Sequence, residues 1–286
     1  MSVTVVTDSA SSLTREDIER LGIEVVSLRM VEDGVSVPDM DVDLDAFYRR
    51  LPGLRSVPTT SAPSPAEFAE VFSHVLGRGD GLVVVLISAR LSSTYEVAGL
   101  GAAMMREQYP DARIEFVDSE SNSMQEGFAV LAAAECAQRG DSLEECAAAA
   151  RATVRRTRFL FAPASLDYLA RGGRISGAKR LIGTVLKITP MLTAVDGRTA
   201  VAGAVRTQRR ALARIAELMR ADVTCCGIRR AVVQAVADHE GAVKFARELI
   251  EPIVGLPVPV VDVPLVVGIH VGPAIGVAYE TIDPLR

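Results

Sequence analysis

The stretch LVVVLISARLSST, residues 82–94, decides the architecture. Leu82–Ile87 is an unbroken apolar run, followed by the hydroxyl-rich Ser88-Ala89-Arg90-Leu91-Ser92-Ser93 and a helical pattern from Thr94 to about Gln108. A short continuous run of Val, Leu and Ile reads as a strand covered on both faces, as in a parallel sheet under helices. The same order recurs on either side. Val3–Thr7 leads into Asp8-Ser9-Ala10-Ser11-Ser12 and a helix from Thr14, where Thr14 and Asp17 have the spacing of a capping box. Ile114–Val117 leads into Asp118-Ser119-Glu120-Ser121-Asn122-Ser123 and an Ala-rich helix reaching Gln138. A further hydroxyl segment, Pro58 to Pro65, contains Thr60 and Ser61. It precedes a helix with Phe68, Val71, Phe72 and Val75 on one face, and Ser64-Pro65 is a favoured helix start.

From about Arg158 the order changes. Phe159–Ala162 reads as a strand and Leu166–Ala170 as a short helix before Gly172-Gly173. Ile188–Val195 and Thr199–Val205 form a hairpin about Asp196-Gly197, a strong turn signal. A helix over Thr207–Met219, a strand Ala231–Val236 and a helix Gly241–Glu251 follow. Val258–Val271, carrying His270, and Ile275–Tyr279 read as closing strands. The expectation is an α/β chain of two lobes: residues 1–155 with a largely parallel sheet and flanking helices, and 156–286 a mixed α+β lobe.

Composition excludes several classes. Of 286 residues 49% are hydrophobic, enough for a sizeable core. The net charge of −5 lacks the basic stripe that a nucleic-acid partner requires. The apolar runs are too short for a membrane span, and a cytoplasmic location is expected. Cys136, Cys146, Cys225 and Cys226 form no C-x-x-C pair, and no His spacing indicates a zinc site, so no metal is expected. There is no G-x-S-x-G elbow, phosphate-binding loop or H-E-x-x-H.

Ligands of open parallel sheets sit at the carboxyl ends of the strands. Here those ends carry Ser/Thr loops that feed helix N-termini, where free N–H groups favour an anion. Capping alone accounts for most such hydroxyls one at a time, although Thr59-Thr60-Ser61 and Ser92-Ser93-Thr94 hold more than caps require. From composition, His270 reads as a buried imidazole, and Arg174 and Arg206 as charges beside turns.

Seven segments, in order, resemble the DegV family of bacterial fatty-acid-binding proteins. They are Thr7-Asp8-Ser9, Thr60 to Ser64, Ser88 to Tyr95, Val117-Asp118-Ser119, Leu166 to Ile175, Gly203 to Thr207, and His270-Val271-Gly272-Pro273. The resemblance implies a long-chain fatty acid, such as palmitate or oleate, held in a cleft between the lobes. Its carboxylate would lie on Thr60 and Ser92. Ser61, Ser93, Arg174, Arg206 and His270 would lie near the head group or the surface facing a partner. It implies a non-catalytic binding subunit, without cofactor, that presents the carboxylate to a separate ATP-dependent fatty acid kinase making an acyl phosphate. The sequence departs from the family pattern at Ala62, Ser93, Gln125 and Ala274, three of them places where Gly is usual. A lost Gly narrows backbone freedom and adds bulk near the rim, so these departures bear on chain-length preference and kinase pairing. Two other readings stay open: an esterase or acyl transferase with a Ser/Thr nucleophile and His270 as base, and a carrier of another amphipathic anion.

Overall fold

The computed structural model describes residues 2–54, 56–181 and 188–285. The chain begins with β1 (Val3–Asp8), a 3-10 turn (Ser9–Ser11) and α1 (Arg15–Leu21). Thr14 caps α1, its hydroxyl accepting the Asp17 N–H at 3.1 Å. Gly22, at φ 63°, ends it in the left-handed conformation that glycine adopts without strain. Next come β2 (Glu24–Val26), β3 (Arg29–Glu32), β4 (Val35–Pro38), α2 (Leu44–Arg50), β5 (Thr59–Ser61) and α3 (Pro65–Gly77). The first half closes with β6 (Gly81–Leu86), α4 (Thr94–Met105), β7 (Ile114–Asp118), α5 (Ser123–Gln138) and α6 (Leu143–Val154). Strands β2-β1-β6-β7 form a four-stranded parallel sheet. β6 lies inside that order, and every one of its residues is buried, as its unbroken apolar run requires.

The second half runs β8 (Thr157–Pro163), α7 (Asp167–Arg171), β9 (Thr189–Val195), β10 (Arg198–Val205), α8 (Gln208–Cys226), β11 (Arg230–Val236) and α9 (His239–Phe245). A π-helical stretch (Ala246–Ile250) leads to α10 (Glu251–Val254), β12 (Val260–Asp262), α11 (Leu265–Val271) and β13 (Ala274–Glu280). Here a six-stranded mixed sheet has the order β10-β9-β8-β13-β11-β12. Asp196 and Gly197 both take positive φ, 48° and 72°, as a two-residue hairpin turn of this twist demands.

The structure corrects two expectations. Val258–Val271 is not one closing strand: only Val260–Asp262 is extended, and from Leu265 the chain is helical. α11 is buried on nearly every side, so its residues need no polar face and its apolar run imitates a strand. His270 therefore stands on a helix. Second, Thr59–Ser61 is not a loop but the short strand β5, at the edge of an antiparallel sheet of order β4-β3-β5.

One apolar cluster spans both halves of the chain. Val5, Val83 and Phe128 belong to it, as do Phe159, Val232 and Ala278. An ion-pair network reinforces that junction. Arg230 of β11 donates to Glu280 of β13 at 2.7 Å, to Glu135 of α5 at 3.0 Å and to the Phe128 carbonyl at 3.3 Å. Glu280 is 1% exposed, and Arg230 is its nearest cation, with Arg156 at 3.6 Å and Arg229 at 4.0 Å beyond it. Removing one member of a buried pair costs roughly 3 kcal/mol, because the other charge stays desolvated. Arg230→Met should lower unfolding free energy by about that amount in urea titration, and adding Glu280→Gln should restore much of it.

Candidate functional site

A cavity of about 60 Å³ lies between the parallel sheet and the mixed sheet. Its walls are mostly apolar, with Ile87 and Leu91 on one side, Phe159 and Phe161 on another, and Val266 and Val267 from α11. Thr60, Ser92, Asn122, Arg174 and His270 also line it.

Each polar member is placed by an identifiable contact. Thr60 is held in β5 by pairing with Met30 of β3. Its Oγ1 lies 2.7 Å from His270 Nε2, across 210 residues of sequence. The His270 ring occupies space over Gly172, where a Cβ would collide with Nδ1. The first glycine of Gly172-Gly173 is thus required by close approach. α11 is fixed from its other side by α2: buried Tyr48 donates to the Val263 carbonyl at 2.6 Å, and Gly268 leaves room for its ring. Arg174 curls back onto the same corner. Its Nη1 donates to the Gly172 carbonyl at 2.6 Å and its Nε to the Leu91 carbonyl at 3.3 Å.

Ser92 lies on the loop between β6 and α4. Its Oγ accepts the Thr94 N–H at 3.2 Å and sits 2.8 Å from the Thr94 hydroxyl. The loop is anchored at both ends. Buried Asp8 accepts from Ala10 N–H and Ile87 N–H, each at 2.9 Å, tying the carboxyl ends of β1 and β6 together. Ser88 donates to the Gly197 carbonyl at 2.9 Å, docking the β9–β10 turn beside Ser92.

The electrostatics follow from burial. Desolvation first, and the nearby Arg174 charge second, push His270 down to about 4, so the imidazole is neutral at pH 7. Its Nδ1 is buried without a hydrogen-bond partner. Burial raises Asp8 to about 7 despite its two backbone donors. Glu126 is raised well above the carboxylate range, by burial first and by Asp8 second.

The structure brings together Thr60, Ser92, Arg174 and His270. Ser61 and Ser93 sit beside them in sequence but are exposed, and Arg206, just beyond β10, is exposed outside the cavity wall. Asn122 was not anticipated. Its Oδ1 is buried without a partner at the cavity wall, and in sequence it is one polar residue among several in a loop. Gly172 and Tyr48 were likewise invisible as site-shaping residues, since each acts on a partner far away in sequence. Among the described residues no cluster of His, Cys, Asp and Glu could hold a metal, and no helix is long and apolar enough to cross a membrane.

These features define a mixed α/β protein with a largely apolar cavity and with hydroxyls, an imidazole and a guanidinium gathered at one corner. The model of a family described as uncharacterised protein, DegV family, matches residues 2–281. A DegV domain-containing protein of Clostridium acetobutylicum is 38% identical over 292 residues, covering 100% of both chains. Among solved structures, a DegV family protein from Thermus thermophilus, described by its fatty acid binding, superposes with a TM-score of 0.89 at 32% identity, over 98% of this chain and 100% of that one. A stearic acid-binding protein from Eubacterium ventriosum superposes with a TM-score of 0.89 at 25% identity, over 97% and 98%. The chain belongs to the DegV family.

His270 gives a pH prediction. An ordinary imidazole titrates at 6.5 and His270 in the fold at about 4. Between those values the unfolded state binds more protons, so this group makes stability rise with pH across that window. Asp8 acts oppositely, because the fold holds its proton up to about 7. Comparing the natural chain with His270→Gln by denaturant titration isolates the first effect. The natural chain should lose more stability between about pH 7 and about pH 4.5 than the variant does, and the NMR signals of the His270 ring should not shift until near pH 4.

Proposed function

We propose that this chain binds a long-chain fatty acid, with the acyl tail in the cavity and the carboxylate at the Thr60–Ser92 corner. The observation that carries this reading is the largely apolar cavity whose polar corner has spare hydrogen-bond donors. Ser92 Oγ accepts from the Thr94 N–H. With the Thr94 hydroxyl also donating to it, both lone pairs are used and its own proton is free to point at an anion. With neutral His270 donating from Nε2 to Thr60, the Thr60 proton is free as well. This tautomer leaves Nδ1 as an unpartnered acceptor, a smaller cost than an unpartnered donor. Arg174 supplies nearby positive charge while its own donors are turned toward two carbonyls. Each buried methylene contributes roughly 0.8 kcal/mol, so the tail can carry most of the affinity. The fatty acids named for the Thermus and Eubacterium relatives support the same ligand class.

The proposal extends to presentation of the carboxylate to a separate kinase. Thr60, Arg174 and His270 also border an outer hollow of about 330 Å³, lined as well by Tyr168 and Arg171. Through these shared residues the carboxylate corner adjoins a surface a partner can reach. The proposed organisation is two lobes, 1–155 and 156–286, meeting at the cavity, in a cytoplasmic protein without cofactor. Hydrolysis through His270 is disfavoured: its pKa of about 4 makes it a weak base at neutral pH, and among the described residues no carboxylate orients its Nδ1.

Extraction of the denatured protein followed by mass spectrometry should recover a fatty acid, and palmitate should bind in titration. Ser92→Ala should weaken binding by about 1–2 kcal/mol, roughly tenfold, in a protein that still unfolds in one cooperative transition. Unaltered affinity in that variant would place the carboxylate elsewhere.

A further inference from the structure

The cavity meets a second, much smaller hollow of about 10 Å³. The two share four wall residues: Phe159, Phe161, Val267 and Val271. Phe159 and Phe161 alternate along β8, so both rings rise from the same face of the mixed sheet. They stack at 5.0 Å between centroids and 20° between planes. Neighbouring β13 makes room for them with Gly276, opposite Phe161. A Cβ there would lie 2.7 Å from Phe161 Cβ and 2.9 Å from Phe159 Cε2.

Beyond the rings the inner hollow ends at Gln234, which is 1% exposed. Gln234 is locked in place. It donates to Ser123 Oγ at 2.8 Å and to Ser12 Oγ at 3.1 Å, and it accepts the Met124 N–H at 3.4 Å. A satisfied amide of this kind is a fixed polar stop. The ring pair lies against a glycine and lines both hollows, whereas Gln234 is held by three hydrogen bonds.

We propose that Phe159 and Phe161 form an acyl-length gate. Tails that fill the outer cavity end against the stacked rings, and longer tails must turn the rings aside to enter the compartment closed by Gln234. This inference rests on the fatty-acid reading above and assigns the residues that set which acids are taken.

Displacement titrations of the full chain with laurate, palmitate, stearate and behenate read the length profile. For the natural chain, affinity should rise roughly fourfold per added methylene until the tail meets the rings, and then stop rising. Phe161→Ala should extend the rise, improving behenate relative to laurate by roughly tenfold or more. Adding Ala274→Leu, which fills only the inner compartment, should erase that gain. Phe159→Leu and Phe161→Leu retain apolar bulk and carry the same test with a smaller shift in the same direction, should the alanine variant not fold. An identical length profile in natural and variant chains overturns the gate and leaves the fatty-acid reading standing. No binding of any acid by the natural chain overturns both.

Discussion

The contact between Thr60 Oγ1 and His270 Nε2, 2.7 Å long, is the constraint on which the rest of the site depends. It joins an edge strand to a buried helix and closes the cavity at its polar corner. Much of the surrounding structure serves to make it possible. Gly172 gives up its side chain so that the imidazole can lie flat against the backbone, and Tyr48 holds the start of α11 from behind. Burial then keeps the imidazole neutral. A neutral ring can orient a threonine hydroxyl without adding a second charge beside Arg174, which a desolvated corner would tolerate poorly.

The second half of the corner depends on the parallel sheet. Strand ends in such sheets leave backbone groups unpaired, and here side chains occupy them. Asp8 takes two N–H groups, one of them on Ile87, and so fixes the place where β6 turns into the Ser92 loop. Ser88 then pins the β9–β10 turn to the same loop. Two sheets far apart in sequence meet at one hydroxyl-lined rim through a few hydrogen bonds, with the apolar cluster of Val5, Phe128, Phe159 and Ala278 behind it.

The parallel half of the fold was legible because its strands are buried on both faces and say so in composition, as β6 does with no polar residue at all. The hairpin was legible from Asp196-Gly197, whose positive φ values few other pairs adopt. What was not legible shares a physical cause. Leu265–Val271 is a helix without a polar face, so it carries no helical period to detect. Thr59–Ser61 is a strand only because β3 offers it partners, and its own residues are short, polar and partly exposed. For the site, Thr60 and Ser92 stood out as hydroxyls in excess of capping needs, and the family resemblance singled them out. Their pairing with His270 and Thr94, the role of Gly172 and the buried Oδ1 of Asn122 arise only from tertiary approach. Arg206 shows the converse: a motif residue that the fold leaves outside the cavity wall.

The central claim is that a carboxylate lies between Thr60 and Ser92 with its tail running toward Phe159 and Phe161. A crystal structure of the natural chain with palmitate tests it most directly. The account predicts density for one carboxylate within hydrogen-bonding distance of both Thr60 Oγ1 and Ser92 Oγ, with the Thr60–His270 contact kept and the tail ending at the ring pair. Palmitate bound elsewhere, or in the reverse direction with its methyl end at Thr60, would contradict it.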